Sequence, residues 1–296
     1  MQKKWLRINS RVLNVDMKFI KELVEPTIKS GDPYWFIFMG TKLLIHCNDD
    51  KRYTIPCFDN PEKLGISCVR TQYLGRYNDI CCFSGEITDA FEVTDEFELP
   101  ENMKFFTVFE IYPMLDPDML RIVFYAIQII AWDRNFQFCG RCGSKTVNMA
   151  KERAKKCPKC NLVNYPRQSP AIIVAVTKGN KLLLARSERF RHIDMYSVLA
   201  GFVDPGESLE ECVRREVKEE VNIEVKNIQY FGSQSWPFPD SLMVGFTAEY
   251  AKGTILVDNN EIVEAEWFSV SELPRIPGKI SIARKLIDWF IKKETH

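Results

Sequence analysis

The stretch Gly201–Ile223 constrains the fold of this chain most, because it places a glycine-bearing loop directly before an acidic helix. With about 100° of rotation per residue, one side of this helix is apolar. That side consists of Leu209, Cys212, Val213, Val217 and Val221. Glu216 and Glu220 project between the first three of these positions rather than towards the opposite side. The pattern predicts an amphipathic helix with two carboxylates at the edge of its core-facing stripe.

Carboxylates at such an edge need a compensating charge, because an unpaired ion close to a core is destabilising. A divalent cation bound by oxygen ligands removes that penalty. Glu219 adds a third carboxylate to the same helix. Arg215 is expected to pair with Glu207 and to brace the loop against the helix, which is a structural role. The interpretation is a metal site; the alternative is a solvated acidic helix, as in most glutamate clusters.

Two cysteine pairs form a second motif. Cys139 and Cys142 are separated by fourteen residues from Cys157 and Cys160. Four thiolates at this spacing can close tetrahedrally on one structural zinc ion. The main alternative to a zinc site is a redox-active cysteine pair, but a redox site needs only one Cys-x-x-Cys motif. The second alternative is a ribbon that binds nucleic acid. Its positive charge would be supplied by Lys151, Arg153, Lys155 and Lys156.

Composition excludes several classes of protein. The 296 residues include forty basic and forty acidic side chains, so no overall field favours nucleic acid or acidic membranes. The longest strongly apolar run, Ile122–Trp132, is too short to span a bilayer. The N-terminus lacks the apolar segment of a signal peptide. The ten cysteines are unevenly placed, which favours reduced thiols and a cytoplasmic protein without membrane contact.

The order of predicted elements indicates an α+β protein. Residues 1–115 are interpreted as a β-rich domain, residues 116–137 as a linking helix, residues 138–165 as a zinc ribbon, and residues 166–296 as a mixed sheet with flanking helices. In the first domain, strands are predicted at Tyr34–Phe38, Leu43–Ile45, Ile80–Phe83 and Phe105–Phe109. In the last, a hairpin is predicted at Ala171–Ala185 and a closing helix at Ser281–Lys292.

Downstream of the acidic helix, Trp236-Pro237-Phe238-Pro239 combines two aromatic residues with two prolines. Proline is poorly suited to the interior of a strand. The segment is therefore predicted to be a rigid loop that presents flat apolar faces to a ligand. Plain packing is the alternative.

The acidic stretch resembles the signature of the Nudix hydrolases. The matching residues are Gly201, Glu207, Arg215, Glu216, Val217, Glu219, Glu220 and Ile223. Asn222 stands where the family has glycine. Because asparagine also tolerates the left-handed conformation that ends a helix, we expect the turn to be retained.

The segment Ser233–Met243 resembles the substrate loop of one branch of that family, the NudC-type NADH pyrophosphatases, although Ser235 replaces the first proline of their motif. The same branch has a four-cysteine zinc ribbon before its Nudix domain. The resemblance covers about residues 131–292 and implies a Nudix fold after the ribbon. It also implies hydrolysis of NADH or NAD to a nicotinamide mononucleotide and AMP, possible removal of NAD caps from RNA, catalytic Mg²⁺ or Mn²⁺, one structural zinc ion, and a homodimer.

The resemblance also implies roles for individual residues. Metal ligands would be Glu216, Glu220, Glu261 and the carbonyl of Ala200, with Glu219 nearby as a further catalytic carboxylate. Substrate contacts would be Tyr165, Phe202, Gln234, Ser235, Trp236, Pro237, Phe238, Pro239, Asp240, Ser241, Ala283 and Glu152. Three interpretations stay open: an NADH pyrophosphatase, a Nudix hydrolase of another nucleoside diphosphate such as ADP-ribose, and a zinc-ribbon protein that binds nucleic acid or a partner.

Overall fold

The computed structural model describes residues 19–28, 30–48, 52–87, 99–100, 102–188, 193–257 and 260–295. Residues 1–18, which open the predicted N-terminal domain, lie outside this set. The chain divides into two compact units, Met1–Pro166 and Arg167–His296. Among the described residues, no helix combines the length and the apolar character that are needed to cross a bilayer.

The first unit is built on a seven-stranded sheet in the order β1-β5-β6-β2-β3-β4, with β7 paired to β3. Its strands are β1 (Phe19–Lys21), β2 (Tyr34–Met39), β3 (Lys42–Cys47), β4 (Tyr53–Thr54), β5 (Arg70–Tyr77), β6 (Ile80–Glu86) and β7 (Met103–Thr107). Strand β2 pairs antiparallel with β3 and parallel with β6. The predicted hairpin around Gly40 is confirmed, and Gly40 has a φ of 58° that suits glycine.

Strand β2 is buried on both faces, since Trp35, Phe36, Ile37 and Phe38 are all buried. Successive side chains of a strand point to opposite faces, so hydrophobic packing must cover both. Helix α2 (Pro117–Asn135) contacts β2, β5 and β6.

Helix α2 begins where the sequence predicted. The Asp116 side chain accepts hydrogen bonds from the backbone amides of Asp118 (2.9 Å) and Met119 (3.4 Å), and Pro117 occupies the first turn. An N-cap acceptor followed by proline is a favoured helix start.

The predicted strand Phe105–Phe109 is only partly correct. Strand β7 ends at Thr107, and the chain enters the short helix α1 (Val108–Ile111). The Glu110 carboxylate accepts hydrogen bonds from the amide and the hydroxyl of Thr107, both at 2.7 Å. This local capping interaction overrides the strand preference of the apolar residues.

The ribbon lies in the first unit as a small three-stranded sheet in the order β10-β9-β8. Its strands are β8 (Val147–Asn148), β9 (Lys155–Lys156) and β10 (Val163–Asn164). Asn148, Lys155 and Asn164 are register partners across the three strands. They therefore share one face of this sheet.

The second unit contains a six-stranded mixed sheet in the order β14-β15-β11-β12-β16, with β13 paired to β11. Its strands are β11 (Ser169–Lys178), β12 (Lys181–Ser187), β13 (Leu199–Phe202), β14 (Ile223–Trp236), β15 (Ser241–Gly253) and β16 (Ile262–Phe268). Its helices are α3 (Leu209–Val221) and α4 (Ile282–Thr295). The predicted Ala171–Ala185 hairpin is confirmed as β11 and β12, and the closing helix as α4.

The two helices cover separate hydrophobic clusters of this sheet. On α3, Val213 and Val217 pack with Ile172 and Val174 of β11. On α4, Leu286 packs in a second cluster with Ile173 and Ala175 of the same strand. Because alternate residues of β11 enter different clusters, the sheet separates α3 and α4.

Helix α3 ends at Asn222, as the resemblance led us to expect. Asn222 is left-handed, with φ 58° and ψ 25°, and its amide bonds to the Lys218 carbonyl. Its side-chain amide donates to the Thr254 carbonyl at 3.3 Å. Asparagine thus replaces glycine without loss of the turn.

We predict that Asn222→Ala lowers the free energy of unfolding by about 1–2 kcal/mol, because alanine is strained in the left-handed region. Asn222→Gly should stay within about 0.5 kcal/mol of the parent, since glycine accepts this conformation. Urea denaturation of the full chain, followed by circular dichroism, measures both. Equal stability of the two variants would contradict the proposed reason for the cap.

Candidate active site

The carboxylates of α3 lie at the edge of the core, as predicted. Glu220 is 7% exposed, and the Glu216 side chain is 13% exposed. The apolar stripe beside them is also buried, with Cys212, Val213 and Val217 inaccessible to solvent. Ser208 caps this helix and forms a capping box with Glu211, which fixes where the helix starts.

Gly201 of β13 makes room for Glu216. A Cβ atom at Gly201 would lie 1.8 Å from Cδ of Glu216 and about as close to both its carboxylate oxygens. The backbone at Gly201 is not in the left-handed region, so space and not conformational freedom requires glycine here. The strand backbone and the helix carboxylate are therefore in direct contact.

Arg215 ties the loop to the acidic helix. Its guanidinium bonds to both carboxylate oxygens of Glu207 at 2.8 and 2.9 Å and to the Phe202 carbonyl at 2.9 Å. The same group contacts Glu216 at 2.9 Å and Glu219 at 3.0 Å. The expected Arg215–Glu207 pair is present, and Arg215 also contacts the proposed metal-binding carboxylates.

The electrostatic environments of two carboxylates differ. Hydrogen bonds from Arg215 lower the pKa of Glu207 to about 2, so this residue stays ionised. Burial raises the pKa of Glu216; Arg215 opposes that shift, whereas Glu219 and Glu261 add to it. Glu216 is therefore a carboxylate whose charged form would be stabilised by a nearby cation.

Two further predicted metal ligands lie on β13 and directly before β16. Ala200 is exposed on β13, next to Gly201, and pairs with Ile173. Glu261 precedes β16, and its carbonyl accepts a hydrogen bond from the Glu188 amide at 2.9 Å. In the described residues, these acids do not form a group as tight as the cysteine cluster below. The donor set, carboxylates with one carbonyl, nevertheless suits Mg²⁺ or Mn²⁺.

The aromatic motif forms the turn of a hairpin. Strand β14 ends at Trp236 and β15 begins at Ser241, and these two residues pair across the turn. The predicted rigid loop is thus limited to residues 237–240, because Gln234 and Ser235 lie within the strand. The rings of Trp236 and Phe238 meet edge to face, with centroids 5.5 Å apart.

Strand register places two predicted substrate contacts, Gln234 and Phe202, in one row. Gln234 pairs with Met243, Met243 with Ala171, and Ala171 with Phe202. Register partners share a face of the sheet, and Met243 packs in the cluster that includes α4. The 54%-exposed Phe202 ring therefore belongs to the same face as Gln234.

Met243 and Ala171 were not predicted as site residues. An isolated apolar side chain in a strand looks like core, so only the pairing register could identify them. Ser235 and Ser233 flank Gln234 in the strand and point to the other face.

Gln234 connects this row to the segment before α4. Its amide donates to the Ile280 carbonyl at 2.7 Å, over forty-six residues of chain. The predicted contact Ala283 lies in the first turn of α4 and is buried at 7% exposure. Gly245 allows Ile282 to approach β15, because a Cβ there would lie 2.9 Å from Ile282 Cδ1.

The four predicted zinc ligands come together in the first unit. The sulfur atoms of Cys139, Cys142, Cys157 and Cys160 all lie within 4.8 Å of one another. The Cys139–Cys160 and Cys142–Cys157 sulfur distances are both 3.5 Å. Tetrahedral Zn–S bonds of about 2.3 Å place sulfurs about 3.8 Å apart, so these residues fit a structural zinc ion.

The two cysteine pairs sit in matching turns. Amides of Arg141 and Cys160 each approach a sulfur at 3.4 Å, as thiolate stabilisation requires. Gly143 and Asn161 occupy equivalent places with φ of 69° and 60°. Gly140, by contrast, does not have a positive φ. Asn161 performs in the second turn what Gly143 performs in the first.

The basic residues of the ribbon are not all on its surface. Arg153 donates to the carbonyls of Glu22 at 2.7 Å and Tyr73 at 2.8 Å. Lys155 is only 4% exposed. The expected basic surface for nucleic acid therefore loses two of its four charges, because they stabilise the first unit.

The predicted contacts Tyr165 and Glu152 also lie in the first unit. The Tyr165 hydroxyl donates to the Glu152 carboxylate, which raises the pKa of Tyr165. The Tyr165 side chain is 56% exposed. The two residues thus form one surface pair, although the sequence segment around Glu152 gave little support for its assignment.

Three family descriptions match successive parts of the chain. A NADH pyrophosphatase-like rudimentary NUDIX domain matches residues 33–132, a NADH pyrophosphatase zinc ribbon domain matches residues 134–165, and a NUDIX domain matches residues 166–290. The first half, in which the sequence showed no catalytic motif, thus has a family assignment of its own.

Curated relatives extend over the whole chain. A protein from Stutzerimonas stutzeri named NAD-capped RNA hydrolase NudC is 39% identical over 284 residues, covering 94% of this chain and 96% of that protein. A protein of the same name from Pseudomonas fluorescens is 53% identical over 182 residues, covering 61% of this chain and 66% of that protein.

Among solved structures, a NUDIX hydrolase from Nitrosomonas europaea is 22% identical and covers 54% of this chain and 93% of its own, with a TM-score of 0.47. The assignment depends instead on the near full-length relative and on the three matched domains. The chain belongs to the NudC-type NADH pyrophosphatase family of Nudix hydrolases.

Proposed function

We propose that this protein hydrolyses the diphosphate bond of NADH or NAD, giving a nicotinamide mononucleotide and AMP, and that it also removes NAD caps from RNA. The observation that carries the proposal is the contact between Gly201 and the half-buried Glu216 carboxylate. It holds an acidic group with a raised pKa against the strand that precedes the catalytic loop. The names of the curated relatives support the choice of substrate.

In this proposal, Glu216, Glu220, Glu261 and the Ala200 carbonyl hold Mg²⁺ or Mn²⁺. When bound, such ions would neutralise diphosphate oxygens and acidify a water molecule. Glu220 or Glu219 orients the attacking water. Arg215 keeps the loop and helix together through Glu207 and Phe202, and so fixes the distance between substrate and carboxylates.

The row across the sheet supplies a surface for the dinucleotide. Phe202 offers an exposed ring for stacking on nicotinamide, and the turn from Trp236 to Ser241 carries two partly buried rings, Trp236 and Phe238. Gln234 holds this region to the segment before Ala283. The family resemblance also assigns a dinucleotide contact to Tyr165 and Glu152, which form a surface pair of the first unit.

Several broader assignments belong to the same proposal. We infer a β-rich domain at residues 1–115, a linking helix at 116–137, a zinc ribbon at 138–165 and a hydrolase domain at 166–296. One zinc ion per chain is inferred from the cysteine spacing and the resemblance, a cytoplasmic location from the uneven cysteine placement, and a homodimer from the resemblance. Metal analysis tests the zinc content, cell fractionation tests the location, and light scattering tests the homodimer.

The decisive experiment is product analysis with NADH, NAD, ADP-ribose and an NAD-capped RNA, each with Mg²⁺ or Mn²⁺. We expect AMP and nicotinamide mononucleotide from the dinucleotides, and a 5′-monophosphate RNA from the capped substrate. AMP from ADP-ribose without cleavage of NADH would instead identify a hydrolase of another nucleoside diphosphate. Absence of cleavage in every reaction would refute the proposal.

Glu220→Gln should reduce metal-dependent turnover of NADH by about a hundredfold or more, because loss of groups that only support metal ligands already costs about 10–100-fold. Glu210→Gln is the matched control, since Glu210 is exposed on the same helix. Its turnover should be that of the parent. Near-normal activity of a folded Glu220→Gln enzyme would show that this carboxylate is not a metal ligand.

Gly201→Ala should lower kcat by about a hundredfold, because displacement of a reacting group by about 1 Å can have that effect. The added methyl group would overlap the Glu216 carboxylate. Gly232→Ala is the control, as no atom lies within 4 Å of its added Cβ. The idea fails if the two variants have equal kcat values while circular dichroism shows both to be folded.

A further inference from the structure

A polar cavity of about 290 Å³ lies in the first unit, apart from every residue assigned above to the hydrolytic site. It is bordered by β5, by the C-terminal end of α2 and by the ribbon. The lining side chains that matter here are those of Arg70, Gln72, Asp133, Gln137, Asn148 and Lys155.

The floor of this cavity contains two buried charges. Lys155 is 4% exposed and Asp133 is 6% exposed. The Lys155 ammonium lies 2.7 Å from the Asp133 carboxylate and donates to the Asp133 carbonyl at 2.8 Å. An ion pair with this little exposure is expensive to maintain unless all its hydrogen-bonding groups are used.

Lys155 has one more donor than Asp133 can satisfy. An ammonium group carries three N–H bonds, and two of them are directed to Asp133. The Trp132 ring centroid is 5.7 Å from Nζ, near the outer limit of about 6 Å for a cation–π contact. The third N–H is therefore available to an acceptor in the cavity.

The surrounding side chains also offer donors. Asn148 is exposed at the rim and is the register partner of Lys155, so the two share a face of the ribbon sheet. Arg70 adds a guanidinium, 3.8 Å from the Asp133 carboxylate, and also bonds to Glu86. The carboxylate of Asp133 thus lies close to two cations, and Lys155 and Asn148 are N–H-bearing residues of the cavity lining.

We propose that this cavity binds a phosphate group, which would accept hydrogen bonds from Lys155 and Asn148. Lysine beside an amide donor suits phosphate oxygens, and the Arg70 guanidinium in the lining adds positive charge. The volume is at the lower end of small-molecule sites, about 300 Å³, so it fits a phosphate group better than a whole dinucleotide. The phosphate belongs either to a free phosphate or mononucleotide or to a nucleic-acid backbone.

Asn148→Asp tests the site with an isosteric carboxylate at the rim. Titration of inorganic phosphate into the full-length protein without divalent cations, followed by calorimetry, should show Kd rising about tenfold in the variant through charge repulsion. Asn180→Asp adds the same charge at an exposed turn of the second unit and should leave Kd unchanged. Phosphate bound at the hydrolytic site would be unaffected by Asn148→Asp.

Thr71→Glu, on the exposed β5 side of the same rim, should repeat the loss, whereas Thr71→Gln should not. Titrations with AMP and with an oligonucleotide lacking terminal phosphates identify the source, because only the source that fits should lose affinity in Asn148→Asp. The proposal is overturned if the parent binds no phosphate, or if the parent and both acidic variants, each folded by circular dichroism, bind it equally.

Discussion

Packing of the Glu216 carboxylate against the Gly201 backbone is the contact on which the rest of the second unit depends. It requires a residue without a side chain on β13, a helix that starts close to that strand, and a cation that keeps the carboxylate ionised. Arg215 meets part of that last need through Glu216 and Glu219, while its pairing with Glu207 prevents the loop from moving away. Loop, strand and helix are therefore joined by one charge network.

The sheet of the second unit separates two tasks. Helix α3 covers one cluster and carries the carboxylates. Helix α4 covers the other cluster, against which Met243 packs, and Met243 belongs to the strand row that includes Phe202. The side chains of the row and those of α3 can consequently change with little mutual interference. Strand β13 contributes to both faces, because Gly201 faces Glu216 and its neighbour Phe202 points the other way.

Sequence patterns predicted the elements whose physics is local. The acidic helix and the convergence of the cysteines followed from periodicity and spacing, and the left-handed end at Asn222 followed from the family resemblance. What could not be predicted depended on partners far along the chain. The helix at Val108 forms because the capping interaction of Thr107 outweighs the strand preference of the apolar residues. Arg153 points inward because it donates to the backbone carbonyl of Glu22, far away in the sequence. The membership of Met243 in the row required the pairing register.

That register has a consequence for how this enzyme can diverge. Strand side chains alternate between the two faces of the sheet. Inserting or deleting one residue would therefore move a side chain of the row to the face covered by α3: Phe202 for a change in β13, Met243 for β15 and Ala171 for β11. For the proposed dinucleotide surface, exchange of side chains along the row or a longer turn after Trp236 would alter specificity and keep the strand register. Changes of strand length would abolish recognition and the hydrophobic clusters together.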